Sequence, residues 1–113
     1  YKHGVPRDAD LVFDCRFLAN PHWVPELRSS TGLSESVSDY VFSQDVAQAF
    51  VEQILSMFKV LFPAYLSEGK AYLTIAFGCT GGKHRSVAMS EFVAKAISAD
   101  GREVRTRHRD IDR

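Results

Sequence analysis

The chain has 113 residues, 45% of them apolar and 12% aromatic, with 14 basic and 14 acidic side chains and a formal net charge of zero. That length fits one domain, residues 1–113, with apolar mass enough to fold without a disulfide framework or a structural metal. No secretory leader and no long uncharged apolar run stands out, so a soluble protein without membrane contact is expected.

The first residue is Tyr1 rather than Met, as expected for a piece of something longer. The two cysteines, Cys15 and Cys79, stand in different motifs, at a spacing that suggests neither a disulfide framework nor a zinc site, and a reducing cytosol is the natural setting. Charge is unevenly spread. From 34 to 70 five acids face two bases, whereas from 79 to 113 eight bases face five acids. The basic end is the natural place for an acidic ligand or a nucleic acid.

In chain order, Leu11 to Phe17 predicts a strand that brings Asp14 and Arg16 to its end. Residues 18 to 33 form a long loop with Pro21, Pro25 and Gly32, of the length that often serves function. Ser34 predicts the cap of a short helix through Tyr40, and Ser43 the cap of a longer one. In that longer helix Val46, Phe50, Ile54, Phe58 and Phe62 recur every fourth residue. Pro63 is expected to end or kink it, or to open a new turn. Tyr72 to Phe77 reads as a strand covered on both faces. Val87, Ala88, Phe92, Val93, Ala96 and Ile97 give the last helix its buried side, with Gly101 at its C-terminal end. Val104 to Arg109 alternates, with Val104, Thr106 and His108 on one face and Arg105, Arg107 and Arg109 on the other, which predicts a further strand. Strands alternating with helices give an α/β fold: a small, mainly parallel sheet flanked by helices, with ligands bound at the carboxyl ends of the strands.

The run Gly78-Cys79-Thr80-Gly81-Gly82-Lys83-His84-Arg85-Ser86 lies between the second strand and the last helix. A glycine-rich turn at a helix N-terminus leaves amide N–H groups free for an anion, and Lys83, His84 and Arg85 add positive charge. Three chemistries compete for it. A nucleotide P-loop needs four residues between its glycines and then Lys-Ser/Thr, whereas Gly78 to Gly82 encloses three and His84 replaces the hydroxyl. A cysteine phosphatase would use Cys79 as nucleophile, Arg85 as the clamp on phosphate oxygens, and Asp14 or His22 as general acid. The spacing Cys-x5-Arg-Ser fits that reading, but Gly78 stands where such enzymes carry His. A non-catalytic anion pocket asks for nothing that the sequence lacks. Thr80, Gly81 and Gly82 would donate amides, Lys83, His84 and Arg85 charge, and Ser86 a hydroxyl.

The same run, together with Val12-Phe13-Asp14-Cys15-Arg16-Phe17, Asn20-Pro21-His22-Trp23, Lys2-His3-Gly4-Val5-Pro6, Thr31-Gly32-Leu33 and Arg107-His108-Arg109, resembles the C-terminal domain of the RapZ family of RNase adapter proteins. The resemblance runs from residue 1 to about residue 109 and is weakest in the middle helices. It implies a regulator rather than an enzyme. By resemblance, the domain binds small regulatory RNA, senses glucosamine-6-phosphate, works with RNase E on amino-sugar synthesis and assembles as a homo-oligomer. The family's N-terminal nucleotide-binding P-loop domain is not in this sequence. The sugar-phosphate pocket carries over onto His22, Thr80, Gly81, Gly82, Lys83, His84, Arg85 and Ser86, with Asp14, Arg16 and Asn20 at its edge. No cofactor and no metal are implied. RNA contact carries over onto Lys2 and Arg102, with Arg105, Arg107 and Arg109 added by their charge. The chain departs from the family's best-known RNA binders in ending Asp110-Ile111-Asp112-Arg113 instead of in a Lys/Arg-rich tail.

Each of these residues also has a plainer role open to it. Arg105, Arg107 and Arg109 would equally protect a solvated edge strand. Trp23 would serve as a core plug with His22 a loop hydrogen-bonder, and Asp14 and Arg16 would simply pair with each other.

Overall fold

A computed structural model describes residues 8–70 and 72–108. Two strands, β1 (Leu11–Asp14) and β2 (Ile75–Gly78), pair in parallel, with Leu11 opposite Ile75 and Asp14 opposite Gly78. Parallel neighbours need a long crossover, and α1 (Glu35–Phe42) and α2 (Asp45–Ser67) supply it. A single 3-10 turn (Pro21–Trp23) interrupts the loop between β1 and α1, and α3 (Arg85–Ala99) follows β2. The architecture is α/β, as the sequence predicts, with a smaller sheet.

The core runs between the sheet and the helices. Phe13 stacks on Phe77 across the paired strands at 5.4 Å and meets Phe50 and Phe58 of α2 edge-on at 6.0 and 6.3 Å. The buried stripe of α2 is Ala47, Val51, Ile54 and Phe58, rather than the every-fourth-residue series. At 3.6 residues per turn, each step of four overshoots a full turn by about 40°, so four such steps carry a stripe to the other side of the helix. Val46 consequently lies half exposed, while Phe50 and Phe62 flank the core. By length and composition alone, α2 is apolar enough to cross a membrane, although it carries Glu52 and Lys59 and so is not an uncharged run, and its inner stripe belongs to the core.

Several boundaries differ from the sequence expectation. β1 ends at Asp14 instead of Phe17, and β2 begins at Ile75 instead of Tyr72. Ser34 takes the cap position of α1 without a side-chain cap bond. Ser43 closes α1, its hydroxyl donating to the Tyr40 carbonyl, and Gln44 takes the cap position of α2. Pro63 does not end α2, which continues to Ser67; the proline lacks only the N–H that would serve Lys59. Phe92 is 40% exposed and lies against Phe42 at 4.6 Å rather than in the core. Gly101 adopts φ 86° after the last turn of α3, donating to Ser98, as a helix stop requires. Residues 104–108 form no strand despite their alternation, and Arg109 lies outside the described residues.

Candidate functional site

β2 delivers the chain to the glycine turn, residues 79–84, and α3 starts at Arg85. Gly82 sits at φ 69°, a left-handed conformation that glycine reaches without strain. Around it the backbone wraps the Cys79 sulfur. The thiol donates to the Ser86 hydroxyl at 3.2 Å and accepts from the Ser86 amide at 3.4 Å. Burial alone would raise the Cys79 pKa. The Ser86 hydroxyl and amide, the Gly82 amide and the Arg85 charge together outweigh burial and hold it below the ordinary 9.0. The second thiol, Cys15, behaves oppositely. Burial, then the proximity of Cys79 and Asp14, push it up to about 12.

Among the described residues, the amides of Thr80, Gly81, Lys83 and His84 donate to no backbone carbonyl. They lie at or just before the positive end of α3, where an anion is stabilised by roughly 0.3–1 kcal/mol from the helix dipole alone. A Cβ at Gly81 would meet nothing within 4 Å, so the space beside this amide is open. The turn therefore presents four amides without a backbone acceptor, with open space beside Gly81.

The three basic residue types of the motif divide their work. Arg85 is 4% exposed and turns inward. Its Nη1 donates to the carbonyls of Arg16 at 2.8 Å and Leu18 at 3.1 Å, its Nη2 lies 3.4 Å from the Thr80 hydroxyl, and its buried Nε has no hydrogen-bond partner. His84 is buried against the same loop, its Nε2 3.1 Å from the Arg28 carbonyl. Burial drives its pKa below 6.5, so it is neutral at pH 7 and adds no charge. Lys83 is half-buried, and among the described residues no acidic side chain pairs with its ammonium. Positive charge at the turn thus comes from Lys83 and the inward guanidinium of Arg85.

The residues after β1 are fastened onto this turn. Arg85 holds residues 16 and 18, His84 holds Arg28, and the Gly32 amide donates to the Lys83 carbonyl at 2.9 Å. A Cβ at Gly32 would come within 2.3 Å of the Ala88 nitrogen and 2.5 Å of the His84 carbonyl oxygen. Sequence reasoning placed Gly32 in a loop and missed this close approach, as it missed Arg28 altogether. The only signal was the Thr31-Gly32-Leu33 run.

Asp14 and Arg16 pair with each other, a carboxylate oxygen 2.6 Å from Nη2. The hydrogen bonds from Arg16 hold Asp14 down to about 2, so it is an anion at neutral pH and has no proton to give as a general acid. Asn20 accepts from the His22 amide at 3.0 Å and caps the 3-10 turn. His22 is exposed but near enough to His84 to act on its titration. Trp23 is 73% exposed, edge-on to His22 at 5.0 Å, and is no core plug.

On the other side of the turn, a crevice of about 1340 Å³ runs along β2. Gly78, Cys79, Gly82 and Ser86 form one end, and Arg102, Arg105, Arg107 and His108 line it further out. The Arg102 guanidinium covers the Phe62 ring at 4.8 Å, and His108 meets Glu91 at 2.8 Å. The candidate RNA residues 102, 105 and 107 therefore share one crevice with the glycine turn. Lys2 and Arg109 lie outside the described residues. Among the described residues, no group of three His, Cys, Asp or Glu side chains gathers as a metal site would require.

Strand, glycine turn and a helix that starts on a buried arginine define an α/β domain with its candidate site at the carboxyl edge of a parallel sheet. The model of the RapZ C-terminal domain matches residues 1–112, and the chain belongs to that family. Proteins named nucleotide-binding protein are similar to it over its whole length: 58% identical in Streptomyces griseus subsp. griseus and 56% in Thermobifida fusca. One from Ruegeria sp. is 50% identical over 98% of the chain. The chain spans 34%, 38% and 37% of these three relatives, little more than a third of their length. The names of these relatives describe binding.

Proposed function

We propose that this domain is a non-catalytic regulator that binds a phosphorylated amino sugar, of the glucosamine-6-phosphate kind, at the glycine turn. The observation that carries the proposal is the row of amides at Thr80, Gly81, Lys83 and His84 at the head of α3, without backbone partners among the described residues, in a turn whose Lys83 has no acidic partner there. The phosphate sits on these amides with Lys83 as counter-charge. His22, near His84 on the fastened loop, reaches toward the sugar, and Ser86, engaged with Cys79, shapes the floor. Arg85 acts from beneath, through its field and by holding residues 16 and 18 in place.

Membership of the family supports a regulatory role. On this reading the domain works in the cytoplasm, as part of a homo-oligomer, and hands small regulatory RNA to RNase E. Arg102, Arg105 and Arg107, with Lys2 and Arg109, supply the basic face, and ligand on the amides acts on RNA binding there through the turn, whose residues Gly82 and Ser86 line the crevice. Nucleotide binding by the relatives belongs to the part of their chains that this one does not span.

Isothermal titration with glucosamine-6-phosphate tests the pocket, on wild type, Lys83→Ala and Gly81→Val. Wild type is expected to release heat, and both variants, still folded by circular dichroism, to bind at least tenfold more weakly. A folded wild type that gives no heat with any phosphorylated sugar removes the pocket from the account. Titrating labelled small RNA at rising salt tests the basic face; binding there should weaken steeply as salt rises. One observation favours the rival phosphatase reading, the acidified Cys79 thiol six residues before Arg85. Turnover of an aryl phosphate by wild type but not by Cys79→Ser would establish it.

A further inference from the structure

We propose that Cys15 and Cys79 form a reversible intramolecular disulfide, a redox lock directly beneath the glycine turn. The paired register ends with Asp14 opposite Gly78, so the next residue on each chain is a cysteine. The Cys15 amide donates to the Gly78 carbonyl at 2.7 Å, which keeps the two chains together at this step. In parallel strands, paired residues project from the same face, and alternation places Cys15 with Phe13 and Cys79 with Phe77. The stacking of Phe13 on Phe77 two residues earlier shows that shared face directly. Neighbouring strands lie about 4.8 Å apart, inside the roughly 4.4–6.8 Å between Cα atoms that a disulfide spans. Both side chains are buried in one core, 0% and 2% exposed. Charge on Cys79 also disfavours charge on Cys15, as close sulfurs require.

The two thiols differ as an attacking and a resolving cysteine should. Cys79 forms part of the wall of the open crevice and is held acidic by Ser86, Gly82 and Arg85, whereas Cys15 is enclosed and protonated. The oxidant is a peroxide, small enough to enter beside Gly82. The Cys79 thiolate attacks one peroxide oxygen, the O–O bond breaks, and hydroxide departs to become water with a proton from solvent. Cys79 is then a sulfenic acid. The Cys15 sulfur attacks the Cys79 sulfur, the S–O bond breaks, and the departing hydroxide takes the Cys15 proton and leaves as water. In sum, the Cys79 thiolate, the Cys15 thiol, hydrogen peroxide and one proton give one disulfide and two waters. The bond withdraws the Cys79 sulfur from the Ser86 hydroxyl and amide, and so alters the start of α3. Intracellular disulfides of this kind are transient and sensing rather than structural. Nothing in this step depends on whether the turn binds a sugar phosphate.

The test is to treat the folded chain with hydrogen peroxide, quench, block remaining thiols in denaturant with N-ethylmaleimide, and map peptides by mass. The expected product is a Cys15–Cys79 linked peptide pair lighter by two hydrogens, with no alkylated cysteine, reverting under dithiothreitol. In Cys15→Ser, dimedone should trap Cys79 as a sulfenic acid. In Cys79→Ser, Cys15 should stay reduced. Two alkylated cysteines in peroxide-treated wild type, bonds only between different molecules, or peroxide oxidation of Cys15 in Cys79→Ser would each overturn the proposal. Because the first readout uses wild type alone, a variant that fails to fold leaves the test intact.

Discussion

Gly32→Ala should be among the most damaging small changes in this chain. The added methyl carbon would lie 2.3 Å from the Ala88 nitrogen, 2.5 Å from the His84 carbonyl oxygen and 2.8 Å from the Val87 Cβ. Two of these three atoms are backbone of the α3 start, which cannot swing aside as a side-chain tip can. The loop must retreat instead, and the 2.9 Å bond from the Gly32 amide to the Lys83 carbonyl lengthens with it. Overpacking of this kind costs roughly 1–3 kcal/mol, and the weakened hydrogen bond about 1 kcal/mol more. A total near 3 kcal/mol follows, equivalent to a Tm lower by roughly 15 °C for a domain of this size. Urea denaturation followed by tryptophan fluorescence and circular dichroism measures it, the m-value remaining unchanged. Gly81→Ala is the internal control. Its Cβ meets nothing within 4 Å and its φ is not left-handed, so its cost should stay within about 0.5 kcal/mol. A Gly32→Ala protein as stable as wild type, or a Gly81→Ala protein equally damaged, would refute the reasoning.

Three more outcomes are expected. His84 has its pKa lowered below 6.5 by burial. The unfolded chain therefore binds the proton more readily, and stability present above pH 6.5 is lost as pH falls through the folded value. Urea midpoints from about pH 8 to about pH 5.5 should decline with acid, and His84→Asn should flatten that decline. Arg85→Met should cost about 3 kcal/mol, because it strands the buried Leu18 carbonyl and the part-buried Arg16 carbonyl. Arg85→Lys should rescue only part of this, having no planar fork, and a Met variant with an unchanged Tm would contradict the clamp. Lys83→Ala should move stability by no more than about 0.5 kcal/mol while weakening sugar-phosphate binding, so a parallel loss of both would make Lys83 a structural residue.

The glycine turn was legible in the sequence because its signals are local. A strand must precede it, Gly82 must turn it, and the hydrophobic pattern after Ser86 must be a helix. The family could also be read there, since several long runs in fixed order are specific even where the middle helices are not. Local rules faltered where two of them competed. Alternation at residues 104–108 has the period of a strand, but a strand needs a partner along its edge, and the described residues supply none. Pro63 carries a breaker's signal, yet α2 continues because a proline removes one hydrogen bond and the flanking turns hold.

The amino-acid order alone determined the two strands and three helices in outline, the placement of the turn between β2 and α3, and the gathering of Lys83, His84 and Arg85 beside it. Only the tertiary structure decided what those side chains do. Distance along the chain says nothing about which carbonyls come within reach of a guanidinium 67 residues away. Packing turned Arg85 and His84 inward to fasten residues 16–32, left Lys83 without an acidic partner among the described residues, and set two cysteines 64 positions apart just past the ends of adjoining strands. The physical reason is that burial desolvates a polar group and makes it seek the nearest acceptor, and only the folded chain determines which acceptor that is.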